Sequence, residues 1–206
     1  KGFVLEGRGF TAPPADGSSV SLDVPSGSKR LQLLQPFAPN DAGQFSDMPL
    51  LLKVSGKCTT DHISAAGPWL RFRGHLQNIS DNMYIGATNA FTQEVGKGTD
   101  ALSGDTAVAL PEIAARYKQA GLGWVVVGDV NYGEGSSREH AAMSPRFLGC
   151  KAVIARSFAR IAETNLKKQG VLALTFADPA SWKLIQDGDR FACGGLEQLA
   201  PGSVVT

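Results

Sequence analysis

From residue 111 to residue 185, stretches of helical periodicity take turns with short apolar runs. Few folds accommodate that texture: strands joined by helices lie parallel, and the helices cover the sheet in layers, so the expected class is α/β with mainly parallel strands. The spacing predicts a helix over 111–119, with Pro111 in its first turn and Gly121 just past its end. It then predicts a β-branched strand over 124–127, a short helix from residue 137, and a strand over 152–155. A helix over 158–168 stopped by Gly170, a strand over 171–176 and a helix near 179–185 complete the alternation.

The amino-terminal quarter reads differently. Residues 1–47 are punctuated by Pro13-Pro14, Asp16-Gly17-Ser18-Ser19 and Pro25-Ser26-Gly27-Ser28, with only 19–24 alternating like a strand and 31–34 forming a short apolar run. They are expected to be an extended linker arm leading into a domain over 48–206. Leu50-Leu51-Leu52-Lys53-Val54 reads as a buried strand that runs into Gly56 and then Cys58-Thr59-Thr60-Asp61-His62. Residues 72–104, rich in Gly, Asn, Ser and Thr, are expected to be irregular surface structure. No internal repeat or low-complexity tract is visible.

Composition excludes several functions. The 206 residues carry 20 Lys plus Arg against 19 Asp plus Glu, a net charge of +1, which argues against a polybasic protein that holds nucleic acid by bulk attraction. No apolar run approaches the ~20 residues that span a bilayer, so no membrane partner is expected. The three cysteines, Cys58, Cys150 and Cys193, are far apart and form no Cys-x-x-Cys pair. They fit a reducing compartment, and this chain alone is not expected to supply the thiolates of an iron-sulfur cluster or a structural zinc. The sequence opens at Lys1 with neither a signal-peptide nor a transit-peptide pattern, and is read as a piece of something longer.

The most informative segment is Gly128-Asp129-Val130-Asn131-Tyr132-Gly133-Glu134-Gly135-Ser136-Ser137-Arg138-Glu139-His140, which follows a strand run and opens a helix. Gly133 and Gly135 allow a tight turn, and Ser136 with Glu139 three residues later has the spacing of a capping box. Free helix amides beside the fixed cation of Arg138 would make an anion site. An equally economical reading has Ser136 merely capping the helix while Arg138 pairs with a nearby carboxylate. The third glycine of a dinucleotide fingerprint is missing, and so is the Gly-Lys-Ser/Thr of a phosphate loop.

The segment from Asn131 to Ala142 resembles the serine-arginine motif of aconitases. Ser157-Phe158-Ala159-Arg160-Ile161, continuing through Glu163-Thr164-Asn165-Leu166-Lys167-Lys168-Gln169-Gly170, resembles the element that follows it in that family. A third stretch, from Gly56 to Trp69 and on to Phe72-Arg73-Gly74-His75, is similar to the mitochondrial type rather than to the smaller isopropylmalate isomerase subunits, and Leu31-Gln32-Leu33-Leu34 is similar to the family's linker. The resemblance implies the aconitase-like swivel domain of a larger hydro-lyase that interconverts citrate and isocitrate through cis-aconitate. It implies a [4Fe-4S] cluster whose ligands lie in other domains, a partnership with those domains, and the mitochondrial matrix, with the cytoplasm as the other compartment.

By the same resemblance, Ser136 is the catalytic base, Ser137 and Arg138 contact substrate, Arg73 holds a substrate carboxylate and Asp61 is an active-site acid of the supporting network. The chemistry suits these residue types: a tricarboxylate needs several fixed cations, and the planar fork of Arg binds a carboxylate in two places. The piece alone is expected to be inactive. Rival readings are a homoaconitase or methylcitrate-type hydratase domain, and a non-catalytic aconitase-like module of a larger assembly or an RNA-binding form. Two departures from the family pattern stand out: Ala162 where a His is usual, and an end at Thr206 short of the family's usual terminus. His62, His75 and His140 lack ligand-like spacing and are read as structural, Cys58 as an inert buried thiol, and Trp69, Trp124 and Trp182 as packing residues.

Overall fold

The computed structural model describes residues 2, 9, 11–200 and 202–206. In chain order its regular elements begin with β1 (Met48–Lys53), α1 (Thr60–Ile63) and α2 (Leu76–Ser80). A small hairpin, β2 (Lys97–Gly98) and β3 (Val108–Ala109), leads into α3 (Leu110–Gln119). Then follow β4 (Trp124–Gly128), α4 (His140–Phe147), β5 (Cys150–Ala155), α5 (Arg160–Lys168), β6 (Leu172–Thr175) and the edge strand β7 (Arg190–Phe191). Short 3-10 turns occupy Ala42–Phe45, Gly67–Phe72, Pro179–Leu184 and Leu196–Gln198.

Five strands form one sheet in the order β6-β5-β4-β1-β7, with β1, β4, β5 and β6 parallel and β7 antiparallel at the edge. The path β1 to β4 to β5 to β6 moves in one direction along the sheet, so right-handed crossovers put α3, α4 and α5 on the same face. Burial reflects that arrangement. Trp124, Val126, Cys150 and Val153 belong to the main core with Ile113, Tyr117, Ala142 and Leu166 from the helices, whereas Val125 and Ala152 point to a smaller core containing Phe45, Met48 and Phe191. Both faces are covered, which is why β4, and β1 as far as Leu52, are apolar runs rather than alternating. Trp124 is fully buried, and its indole N–H donates to the Leu148 carbonyl at 2.7 Å, satisfying the one polar group that its burial removes from water.

Several local expectations are corrected. Residues 19–24 form turns and coil instead of a strand, because Val20 and Leu22 stay exposed and find no partner strand. The residues of the arm at 1, 3–8 and 10 lie outside the described ones. The helix expected from residue 158 starts at Arg160, since Phe158 bridges to Tyr132, and the segment at Pro179–Leu184 is a 3-10 turn capped by the Asp178 carboxylate. The region 72–104 is irregular but not superficial. Ile79, Met83, Tyr84 and Ala87 are buried, and so are Asn82, Asn89 and Asp100. Each of those polar residues has distant partners that replace water: Asn82 bonds Ser64 and the Ala65 carbonyl, Asn89 the Lys97 carbonyl, and Asp100 the Arg116 guanidinium at 2.9 Å. No helix among the described residues is long and apolar enough to cross a membrane.

Candidate active site

Three loops meet beyond the carboxyl ends of the parallel strands, where open α/β sheets generally hold their ligands. The loop after β4 lies in the middle. On one side it bridges the loop after β1: Gly133 N–H donates to the Cys58 carbonyl at 2.8 Å, and Thr60 N–H to the Glu134 carbonyl at 2.9 Å. On the other it bridges the loop after β5, with Tyr132 N–H on the Ser157 carbonyl and Ala159 N–H on the Tyr132 carbonyl, both at 2.9 Å. Beneath it the buried Tyr132 and Tyr84 hydroxyls share a hydrogen bond of 2.5 Å, and burial pushes both phenols well above their usual pKa.

Glycine is required twice in this loop. Gly133 has φ +78°, and a Cβ there would sit 2.3 Å from the Ala162 Cβ; at Gly135, with φ +122°, a Cβ would stand 3.0 Å from the Thr60 hydroxyl. The close approach lets α5 press against the loop from one side and α1 from the other. Below the loop, a cavity of about 10 Å³ lined by Thr60, Tyr132, Arg138, Ala162 and Asn165 has room for about one water, and the Thr60 hydroxyl is buried there without a partner.

The helix expected to begin at residue 137 begins at His140, and the Ser136–Glu139 capping box does not form. Glu139 is already αR and makes no side-chain cap, and the Arg138 side chain reaches across to the loop after β1. Arg138 makes an ion pair with Asp61 and donates to the Ser64 carbonyl at 3.2 Å, so the pairing that the plain structural reading anticipated is present. The Arg138 hydrogen bond holds the Asp61 carboxyl below the usual carboxylate range. Ser136 and Ser137 are left exposed at the tip of the loop, and among the described residues neither hydroxyl is hydrogen-bonded. A groove of about 490 Å³ runs past Ser136, between Gly133–Ser136 residues and Ala159, Arg160 and Ile161.

Arg73 reaches the same neighbourhood through its backbone: its carbonyl accepts a hydrogen bond of 2.9 Å from the His140 imidazole, two residues past Arg138. Its guanidinium is exposed and joins no ion pair among the described residues. The sequence-level candidates Asp61, Arg73, Ser136, Ser137 and Arg138 are thus gathered at one edge. Two of the residues that fasten them, His62 and His140, take the structural role expected of them from the sequence, whereas Thr59 is not singled out there. Thr59 and His62 form a real capping box at α1, with the Thr59 hydroxyl accepting from His62 N–H and the His62 ring accepting from Thr59 N–H. The Thr59-x-x-His62 spacing carries that signal, whereas the His140–Arg73 contact spans 67 positions and has no local signature. All three histidines hydrogen-bond the backbone, His75 by accepting from Asn78 N–H.

No three His, Cys, Asp or Glu side chains among the described residues cluster as a metal would require. Cys58 and Cys150 are buried, and burial pushes the Cys58 thiol up to about 12 and the Cys150 thiol higher still. Cluster ligation needs thiolates, so these two residues do not fit an iron-sulfur site.

Fold and site together define a layered α/β domain that offers serine hydroxyls and a braced arginine at an open carboxyl edge. A family model described as the aconitase C-terminal domain matches residues 48–179. The chain is 54% identical to a probable mitochondrial aconitate hydratase of Dictyostelium discoideum, covering 100% of this chain and 27% of that protein. It is 52% identical to the mitochondrial aconitate hydratase of Saccharomyces cerevisiae, over 100% of this chain and 26% of the relative. A probable mitochondrial aconitate hydratase of Caenorhabditis elegans is 53% identical over 96% of this chain and 25% of its own length. The chain belongs to the aconitase C-terminal domain family, and it spans about a quarter of the length of the curated relatives it matches.

Proposed function

We propose that this chain is the swivel-domain part of an aconitate hydratase, a hydro-lyase that interconverts citrate and isocitrate through cis-aconitate in the mitochondrial matrix. The observation that carries the reading is the pairing of an exposed Ser136-Ser137 tip with an Arg138 whose direction is fixed by Asp61 and the Ser64 carbonyl. Arg138 and Arg73 neutralise substrate carboxylates, Ser137 adds a hydrogen bond, and Ser136 Oγ takes the proton from the substrate carbon. A serine hydroxyl is a weak base in water, so the neighbouring guanidinium has to stabilise the alkoxide in a site from which water is excluded.

The exposure of Ser136 and Arg73 means that the rest of the parent protein supplies the opposing wall and the exclusion of water. The [4Fe-4S] cluster that an aconitate hydratase implies is held by that remainder too, given that Cys58 and Cys150 are buried and protonated. The domain begins at residue 48, preceded by the arm. The test is steady-state kinetics of the intact parent with Arg73→Lys. Replacing a bidentate fork by a point charge removes a charge-assisted hydrogen bond of about 1.5–3 kcal/mol, so KM for citrate rises roughly 10- to 100-fold. Unchanged KM and kcat would show that Arg73 points elsewhere.

A further inference from the structure

The other end of the sheet, where the parallel strands β4 and β5 begin, carries a second cluster of cations that the proposed reaction does not use. Lys118 lies in the last turn of α3, Arg146 in the last turn of α4 and Lys151 next to the start of β5, and all three line one groove of about 450 Å³ roofed by arm residues including Phe37 and Gln44. A neighbouring groove of about 520 Å³ shares Gln44, Lys118, Gly149 and Lys151, so the two form one trough. Each cation sits over an aromatic ring: Lys118 is 3.5 Å from the Phe147 centroid, Arg146 5.2 Å from Phe37 and Lys151 5.7 Å from Phe45.

None of the three takes part in an ion pair among the described residues. The one carboxylate on the trough wall among the described residues, Asp47, is already held by Arg190, with Nη2 at 2.8 Å. Lys151 is only 9% exposed, yet its ammonium meets neutral oxygens, Asn40 Oδ1 at 3.2 Å and Gln44 Oε1 at 2.5 Å. Arg146 gives Nη2 to the Ala38 carbonyl at 2.8 Å, while its Nε is buried without an acceptor.

Helix dipoles favour cations at the carboxyl ends of α3 and α4, and Arg146 helps to tie down the arm. Neither effect accounts for Lys151, which belongs to a strand, or for the missing counter-charge. Burying a cation without an opposite charge is costly; Lys151 is buried and Arg146 half-buried, and the exposed Lys118 adds a third positive charge to the same groove. Burial, followed by the field of Arg146, lowers the Lys151 pKa, and burial lowers that of Lys118.

We propose that this trough binds a dissolved multivalent oxyanion, whose charged oxygens bridge Lys118, Arg146 and Lys151. Such a ligand supplies the missing counter-charge, and the volume suits a small molecule carrying two or more phosphate-like groups. The same chemistry is available from carboxylates in the remainder of the parent chain, and the experiment separates the two sources.

Inorganic pyrophosphate is titrated into the intact parent protein by calorimetry at low salt. Beside any binding at the arginines of the proposed active site, one saturable event per chain is expected, weakening as salt is added, with affinity falling about tenfold in Lys118→Gln and in Lys151→Gln and unchanged in Arg73→Lys. Lys118 lies at the surface, so its substitution keeps the test decisive if Lys151→Gln fails to fold. Absence of saturable binding, or binding indifferent to both lysine substitutions, would overturn the proposal. So would protection of the exposed Lys118 from acetic anhydride in the ligand-free parent, because the rest of the chain would then be filling the trough.

Discussion

Asp61 shows how one residue links folding to the site. Its carboxylate pairs with Arg138, and that hydrogen bond keeps it ionised at lower pH than an ordinary aspartate. A depressed folded pKa means that the pairing stabilises the native state above the unfolded value near 4, and that this contribution is lost as pH falls through the folded value. The side chain is 56% exposed, so solvent screens the pair and Asp61→Asn should shift stability by no more than about 1 kcal/mol. Substrate affinity should respond more strongly, because Arg138 loses the partner that aims it. Denaturant titration beside citrate KM in the intact parent checks this, and a large stability loss with unchanged KM would reverse the assignment. Cys58 gives the opposite pH dependence. Its folded pKa is raised from 9.0 to about 12, so stability is fully present below about 9 and declines as pH rises from there toward 12. Denaturant midpoints measured at pH 8 and pH 10.5 should diverge in the native protein, and diverge less in Cys58→Ala; equal alkaline losses in both would contradict the burial argument.

At the scale of elements, the loop after β4 is held by contact as much as by hydrogen bonds. Gly133→Ala combines a left-handed backbone with a methyl group 2.3 Å from the Ala162 Cβ, and should cost about 2–4 kcal/mol. Adding Ala162→Gly should recover the part due to the collision and leave the backbone part. Thermal or denaturant unfolding of the two variants measures this, and a single-variant loss below about 0.5 kcal/mol would show that the loop relaxes freely. The strand Trp124–Gly128 and the 152–155 part of Cys150–Ala155 are legible in the sequence because burial on both faces makes them apolar runs, interrupted in the latter strand only by Lys151 near its start. The helix start near Ser136 is not, because a capping box is a local signal whereas the loop that holds Ser136 is tied to distant segments, Glu134 to Thr60 and Arg138 to the Ser64 carbonyl. Residues 72–104 mislead for a related reason: Asn82, Asn89 and Asp100 look like surface residues until the partners that satisfy them are brought in by the fold.

For the whole molecule, the candidate site was legible as a set of residues but not as an arrangement. Ser136, Arg138 and Asp61 were visible through a family resemblance carried by three stretches of sequence, whereas the contact that brings Arg73 beside α4 depends on a His140–carbonyl bond between distant segments. Half a site is exposed on one edge, so the chain by itself should show no conversion of citrate, isocitrate or cis-aconitate, and anaerobic incubation with iron and sulfide should leave its visible spectrum blank. Stable cluster absorbance at stoichiometric iron would contradict that. The central claim is that Ser136 Oγ moves the substrate proton, and the most direct measurement is turnover of Ser136→Ala in the intact parent, beside its citrate affinity and melting temperature. The account predicts kcat lower by about 10²–10⁴, with KM and melting temperature nearly unchanged, because the lost interaction belongs to the transition state. Near-normal turnover in Ser136→Ala would contradict it and leave the serine as an exposed loop residue without a role in the chemistry.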